Sequence, residues 1–148
     1  MSYQERRSIV NLISTILITA FYSAYMVQRY PEGSAYSTEV FHFWGAFFLI
    51  LIPVAAVAKI VVYIIFSILN AIATREEEPP ITDERDKLIE LKAQTISTYV
   101  FIIGFILAMG SLVVGMPPSV MFIILLLAGV VSEMVSEISQ FYFYRRGV

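Results

Sequence analysis

Four long apolar segments, separated by short polar stretches, set the strongest limit on how this chain can fold. A helix that crosses a bilayer needs about 20 mostly apolar residues. Four segments meet that condition, and they run over residues 8–27, 41–74, 93–114 and 119–144. Hydrophobic residues make up 58% of the chain and charged residues only 15%, against about a quarter in soluble domains. The sequence therefore predicts an all-α integral membrane protein in which residues 1–148 form one four-helix transmembrane bundle.

The basic residues between the spans indicate how the chain is threaded. Pairs of arginines stand at residues 6–7 and 145–146, and four more basic residues lie within residues 75–92. The opposite side of the membrane carries Arg29 alone. Because Lys and Arg are concentrated in cytoplasmic loops, we expect both termini and the 75–92 loop to be cytoplasmic.

The second apolar segment is longer than one crossing requires. About 34 residues at ~1.5 Å each give a helix of ~50 Å, whereas the hydrocarbon core is ~30 Å thick. Pro53 lacks a backbone donor and clashes with the carbonyl of Leu49, which predicts a kink. We expect one kinked helix whose inner end projects into the cytoplasm and stops near Arg75. The alternative places its first part along the outer interface.

The 75–92 loop is the only extended polar stretch between the spans. Thr82 is the predicted N-cap of a helix that continues into the third span as a cytoplasmic helical extension. One interpretation is a solvated amphipathic turn that anchors this span. The other is a docking site for a cytoplasmic protein partner, formed by Asp83, Glu84, Arg85, Asp86, Leu88 and Ile89.

The same stretch resembles a known family. The run TDERDKLIELKA, Thr82–Ala93, is similar to the DERDxxIxxKA signature of short multi-span prokaryotic membrane proteins called DUF2178. The matching positions are Asp83, Glu84, Arg85, Asp86, Ile89, Lys92 and Ala93. The resemblance implies a bacterial or archaeal cytoplasmic (inner) membrane, and it brings no known activity or catalytic residue with it. Such families often accompany transcription regulators, which favours a regulatory or accessory role.

Polar residues inside the predicted spans form the second candidate site. Glu133, Glu137 and Gln140 are spaced to lie on one face of the fourth helix. Carboxylates that face lipid are costly, so this face must look into protein, water or another subunit. Lys59 of the second span lies at a similar depth to Glu133, so we predict that these two residues pair. We expect Glu137 to reach Asn70 or the polar stripe of the first span that begins at Asn11.

Three uses of this polar cluster remain open from the sequence. In the structural interpretation, Lys59 and Glu133 neutralise each other and fix helix packing. In the functional one, Glu133 and Glu137 bind a cation or relay protons while Lys59 tunes them. The third use is an ion pair between subunits, since four helices enclose little volume by themselves.

The remaining features exclude several classes of function. The net charge of −2 and the lack of a basic stripe argue against nucleic-acid binding, and the chain has no cysteine. His42 is the single histidine and lies far from the serines of the fourth span, so we predict no catalytic, metal or cofactor site. Gly104 and Ala108 form a small-residue patch for packing within the bundle or between subunits.

These observations favour a non-enzymatic accessory or regulatory membrane protein. We expect a homo-oligomer that acts through helix packing and through its cytoplasmic loop. The alternative is an oligomeric ion channel or proton-coupled transporter that uses Lys59, Glu133 and Glu137. A membrane enzyme ranks third, because no nucleophile and base can be brought together from this sequence.

Overall fold

The computed structural model describes residues 2–74 and 83–147 as four helices. They are α1 (Tyr3–Val27), α2 (Thr38–Thr74), α3 (Glu84–Val113) and α4 (Pro118–Arg146), and no strand occurs within the described residues. Each helix is long and apolar enough to cross a membrane. The predicted all-helical chain with four candidate spans is confirmed, while its orientation in the membrane stays a prediction.

The helix ends follow local capping chemistry rather than the limits of the apolar segments. Ser2 caps α1 in a capping box with Glu5, so this helix begins before the predicted boundary at residue 8. Asp83 is the N-cap of α3, and its carboxylate accepts a hydrogen bond from the Glu84 amide. Thr82, the predicted cap, lies outside the described residues.

All four helices are longer than the hydrocarbon core of a bilayer, and α2 and α3 are the longest. α2 has 37 residues and continues through Pro53 as a single helix. α3 has 30 residues and passes the predicted boundary at residue 93 without interruption. At ~1.5 Å per residue, these helices measure ~55 and ~45 Å, against a core of ~30 Å. Part of each helix therefore extends beyond the apolar layer or lies tilted within it.

The helices pack in the order α3, α4, α1, α2. α3 packs along α4 most extensively, α4 also packs on α1, and α1 packs on α2. α2 touches α4 sparsely, and within the described residues α2 and α3 do not pack against each other. The bundle is therefore open along one side, between α2 and α3.

Small residues bring α3 and α4 close together. The buried positions of α3 lie three, four or eleven residues apart, which keeps them on one helix face, and they continue on α4; they are Ile89, Ala93, Ser97, Ala108, Ser111, Ala128, Ser132 and Ser136. At Gly104, an added Cβ would overlap the side chain of Ala128 and lie 3.2 Å from its Cα. The predicted Gly104–Ala108 patch thus packs inside this chain. We call the whole row of buried positions between α3 and α4, which includes this patch, the small-residue seam.

Aromatic residues hold the other side of the bundle at one end. A cluster of three aromatic residues, Tyr22, Trp44 and Phe47, is buried with Met26 and Val40 where α1 ends and α2 begins. We call it the aromatic cluster. Trp44 stacks on Phe122 of α4 with 5.4 Å between ring centroids. The Tyr22 hydroxyl donates to the Phe47 carbonyl over 2.8 Å, and the Trp44 indole donates to Ser119 Oγ over 3.3 Å. This cluster attaches the first turns of α2 to both α1 and α4.

The opposite end gathers the start of α1, the start of α3 and the end of α4. Gln4 Nε2 donates to an Asp86 carboxylate oxygen over 3.4 Å, and Tyr144 is hydrogen-bonded to the same carboxylate. The end of α2 joins them, since Tyr3 packs on Phe66 with 5.4 Å between ring centroids. We call this end of the bundle the terminal end.

Candidate functional site

Lys59 and Glu133 meet between α2 and α4. The Lys59 ammonium contacts a carboxylate oxygen of Glu133, which forms an ion pair between two helices that otherwise touch sparsely. The side chains remain 33% and 41% exposed, respectively, so surrounding residues do not close over the pair. The attachment of this part of α2 to α4 therefore depends on one polar contact that is open on one side.

Glu137 lies one turn further along α4 and is surrounded by polar groups of α1. The Asn11 amide and the Ser8 hydroxyl donate hydrogen bonds to its carboxylate, and Lys59 and Arg7 act on it as nearby positive charges. Its Oε2 atom is buried and has no hydrogen-bond partner within the described part of the chain. Arg7 also lies over the Tyr63 ring, 5.3 Å from its centroid.

These four charged residues form a row whose signs alternate. Arg7 stands near the terminal end, followed by Glu137, Lys59 and Glu133 towards the middle of the helices. We call them the charge row. Each acidic residue has a basic neighbour, so the row neutralises itself along its length. In a low-dielectric surrounding, such neighbours are needed to keep all four groups charged.

The structure brings together some of the predicted polar residues and separates others. Asn11 joins Glu137 as predicted, whereas Gln140 instead donates to Ser136 Oγ on its own helix over 3.4 Å. Asn70 is buried near the end of α2. The residues that the sequence interpretation missed are Ser8 and Arg7. Extending the Asn11 stripe back by one turn would have identified Ser8, because it is on the same face of α1.

An apolar groove of about 470 Å³ occupies the open side of the bundle. Its α2 wall contains Phe48 and Leu51, its α3 wall contains Phe101, and its α4 floor contains Leu125, Gly129 and Glu133. Glu133 is the only charged residue among the described residues that line it. We call this feature the α2–α3 groove, and it ends at the charge row.

The predicted docking residues at the start of α3 are divided between the interior and the surface. Leu88 and the nearby Leu91 are 57% and 64% exposed, whereas Ile89 is only 2% exposed. Including Ile89 in a docking surface was therefore wrong, because it begins the small-residue seam. Asp86 is half-buried in the hydrogen bonds of the terminal end, and Asp83 caps α3. Glu84 and Arg85 remain at the surface.

The described residues contain no group of three or more His, Cys, Asp or Glu side chains that could hold a metal ion. A scan of family models, a search of curated proteins and a search of solved structures each return no match for this chain. The resemblance of Thr82–Ala93 to the DUF2178 family therefore stays a prediction.

Proposed function

We propose that this chain is a non-enzymatic accessory or regulatory membrane protein that works by binding other protein chains, including copies of itself. The proposal rests on the first turns of α3. This segment precedes the predicted third span, and there Leu88 and Leu91 point away from the bundle while Ile89 packs inward. In water, two adjacent exposed leucines gain free energy when a partner covers them.

The proposed docking surface consists of Leu88 and Leu91 with the neighbouring Lys87 and Glu90. A shallow depression in the surface of α3 is lined by Lys87, Glu90, Leu91 and Gln94. An apolar centre with charged residues at its edge is the usual arrangement of a protein-binding surface. Because α3 is one continuous helix, a partner bound at its first turns would act directly on the small-residue seam.

Homo-oligomerisation can be tested directly because the chain has no cysteine. Single Leu88→Cys and Leu91→Cys variants would be expressed in membranes and treated with a mild oxidant. We expect a disulfide-linked dimer for at least one of them, since a two-fold interface places the same residue from two copies close together.

The matched control is Lys92→Cys, an exposed position on the same turns that is not part of the proposed docking surface. Equal crosslinking at all three positions would indicate random collision, and no crosslinking at any of them would remove self-association through this surface. Photo-crosslinkers at Leu88 and Leu91 would then show whether a different protein covers them.

Transport is the second candidate, and two observations favour it. The α2–α3 groove reaches Glu133, and one oxygen of Glu137 is buried without a hydrogen-bond partner in the described residues. Proton and ion flux into liposomes that hold the purified protein would test it, with a Glu133→Gln/Glu137→Gln variant beside it. Flux that depends on both glutamates would favour transport over the interaction proposal. Flux into wild-type liposomes no greater than into empty liposomes would exclude transport.

A further inference from the structure

We propose that the α2–α3 groove is a binding site for a lipophilic organic cation, meaning an apolar and preferably aromatic body that carries a permanent positive charge. This site is separate from the exposed leucines of α3 and does not depend on self-association. Three observations support it: the shape of the groove, the sign of the charge at its end and the rings in its walls.

The shape follows from the order in which the helices pack. α4 packs on both α3 and α1, and in the described residues α2 packs on α1 and not on α3, so a space remains between α2 and α3 over α4. The resulting space of about 470 Å³ falls within the ~300–1,000 Å³ range of small-molecule sites. It is lined by apolar side chains except for Thr19 and Glu133 among the described residues.

The charge at the end of the groove selects for a cation. Glu133 lines the groove, whereas its partner Lys59 is not among the described lining residues. An occupant therefore meets the Glu133 carboxylate, which is 41% exposed, while the Lys59 ammonium does not line the groove. The charge row reads positive, negative, positive, negative towards the groove, so a bound cation would continue the alternation. An anion in the same place would be repelled by Glu133, the charged residue among the described residues that line the groove.

The walls suit an aromatic or strongly apolar body. Phe48, Phe101 and Phe122 line the groove from three different helices. Rings at several sides of a cavity attract a cation through their faces and gain dispersion energy from an aromatic ligand. A small hydrated ion would use neither property, and a neutral lipid chain would not use Glu133.

Gly129 offers a way to fill the groove without disturbing the bundle. It lies on the α4 floor of the groove, and a Cβ added there meets no atom within 4 Å. A leucine at this position projects into the empty space, and replacing glycine also favours the helix. Gly45→Leu is the matched control, because Gly45 is in α2, is equally unobstructed and is not among the described lining residues.

The test measures binding of tetraphenylphosphonium to the purified protein in nanodiscs of zwitterionic lipid, after subtraction of empty nanodiscs. We expect saturable binding to the wild type and to Gly45→Leu, and binding roughly tenfold weaker in Gly129→Leu. Tetraphenylborate, which has nearly the same size and the opposite charge, should show no saturable binding when it is assayed alone. A Lys59→Met/Glu133→Gln variant, which removes both charges together, should lose the preference for the cation.

Three results would overturn the proposal. Tetraphenylphosphonium could bind no better than it partitions into empty nanodiscs. It could bind equally well to the wild type and to a Gly129→Leu protein that elutes as the wild type does. Tetraphenylborate, assayed alone, could bind as tightly as tetraphenylphosphonium, which would make the groove an apolar cavity without charge selection. If Gly129→Leu fails to fold, the comparison with tetraphenylborate and the double variant still decide the question.

Discussion

α3 and α2 share α4 as a partner, yet different chemistry holds each of them. α3 packs along α4 through glycine, alanine and serine, which allow the two backbones to approach closely over several turns. α2 meets α4 through Trp44 on Phe122 at one end and through Lys59 on Glu133 further along. Between these two contacts the α2–α3 groove lies open.

This difference indicates how a membrane protein divides its rigid and adjustable parts. Lipid is as apolar as a leucine side chain, so shape and polar contacts, rather than burial of apolar area, decide which helices stay together. Along the whole small-residue seam, the surfaces of α3 and α4 fit closely together. α2 fits closely against α4 only in the aromatic cluster, and beyond that cluster its contact with α4 depends on one ion pair. We infer that α3 and α4 move as one unit, relative to which α2 can shift.

The largest expected effect is on the small-residue seam. In Gly104→Leu, the added side chain overlaps Ala128, so α3 must move away from α4. Overpacking of this kind costs on the order of 3 kcal/mol. The free energy of unfolding in mixed detergent micelles would measure the effect. Gly110→Leu is the control on the same helix, because a Cβ there meets no atom within 4 Å. Equal losses in both variants would mean that the close approach at Gly104 is unimportant.

The ion pair should show a smaller and separable effect. Lys59→Met leaves the Glu133 carboxylate without its partner, and we expect a loss of about 2 kcal/mol, discounted because the pair is partly exposed. The double variant Lys59→Met/Glu133→Gln removes both charges and should recover most of that stability. The same unfolding measurement on both single variants and the double variant completes the cycle. A double variant as unstable as the sum of the singles would show that the residues do not interact.

The smallest expected effect is in the aromatic cluster. Tyr22→Phe removes the hydroxyl that donates to the Phe47 carbonyl and keeps the ring in place. We expect a loss of about 1 kcal/mol, the usual value of one buried hydrogen bond. Tyr99→Phe is the control, because this tyrosine of α3 is 65% exposed. A loss larger than that of Lys59→Met would reverse the order proposed here and make this hydrogen bond the main attachment of α2.

Hydropathy was sufficient to predict the number of helices because each candidate span is a long apolar segment that only a few polar residues interrupt. Counting turns from the ends of the spans also predicted which lysine and glutamate lie at the same depth, and the structure places Lys59 against Glu133. The depth of a residue in the membrane follows from its distance along the helix, which the rise per residue determines. Polar residues at equal depth on neighbouring helices pair with each other because the apolar layer offers them few other polar partners.

The lateral order of the helices could not be obtained in the same way. Nothing in an apolar segment states which neighbour it packs against, so the open side between α2 and α3 and the groove were not predicted. Ile89 was misplaced for a related reason, since it was read with Leu88 as one apolar side. Its spacing to Ala93 and Ser97 continues the small-residue seam, and that spacing was the signal that it faces inward.

The position of Trp44 gives the protein an intrinsic optical reporter. It is the single tryptophan of the chain, it stacks on Phe122, and its indole N–H is bonded to Ser119. Any displacement of α2 from α4 at this end would expose the ring to a different solvent and shift its emission. Stopped-flow fluorescence of the unlabelled protein can therefore time the opening of this contact, without a dye and without a second tryptophan to confuse the signal.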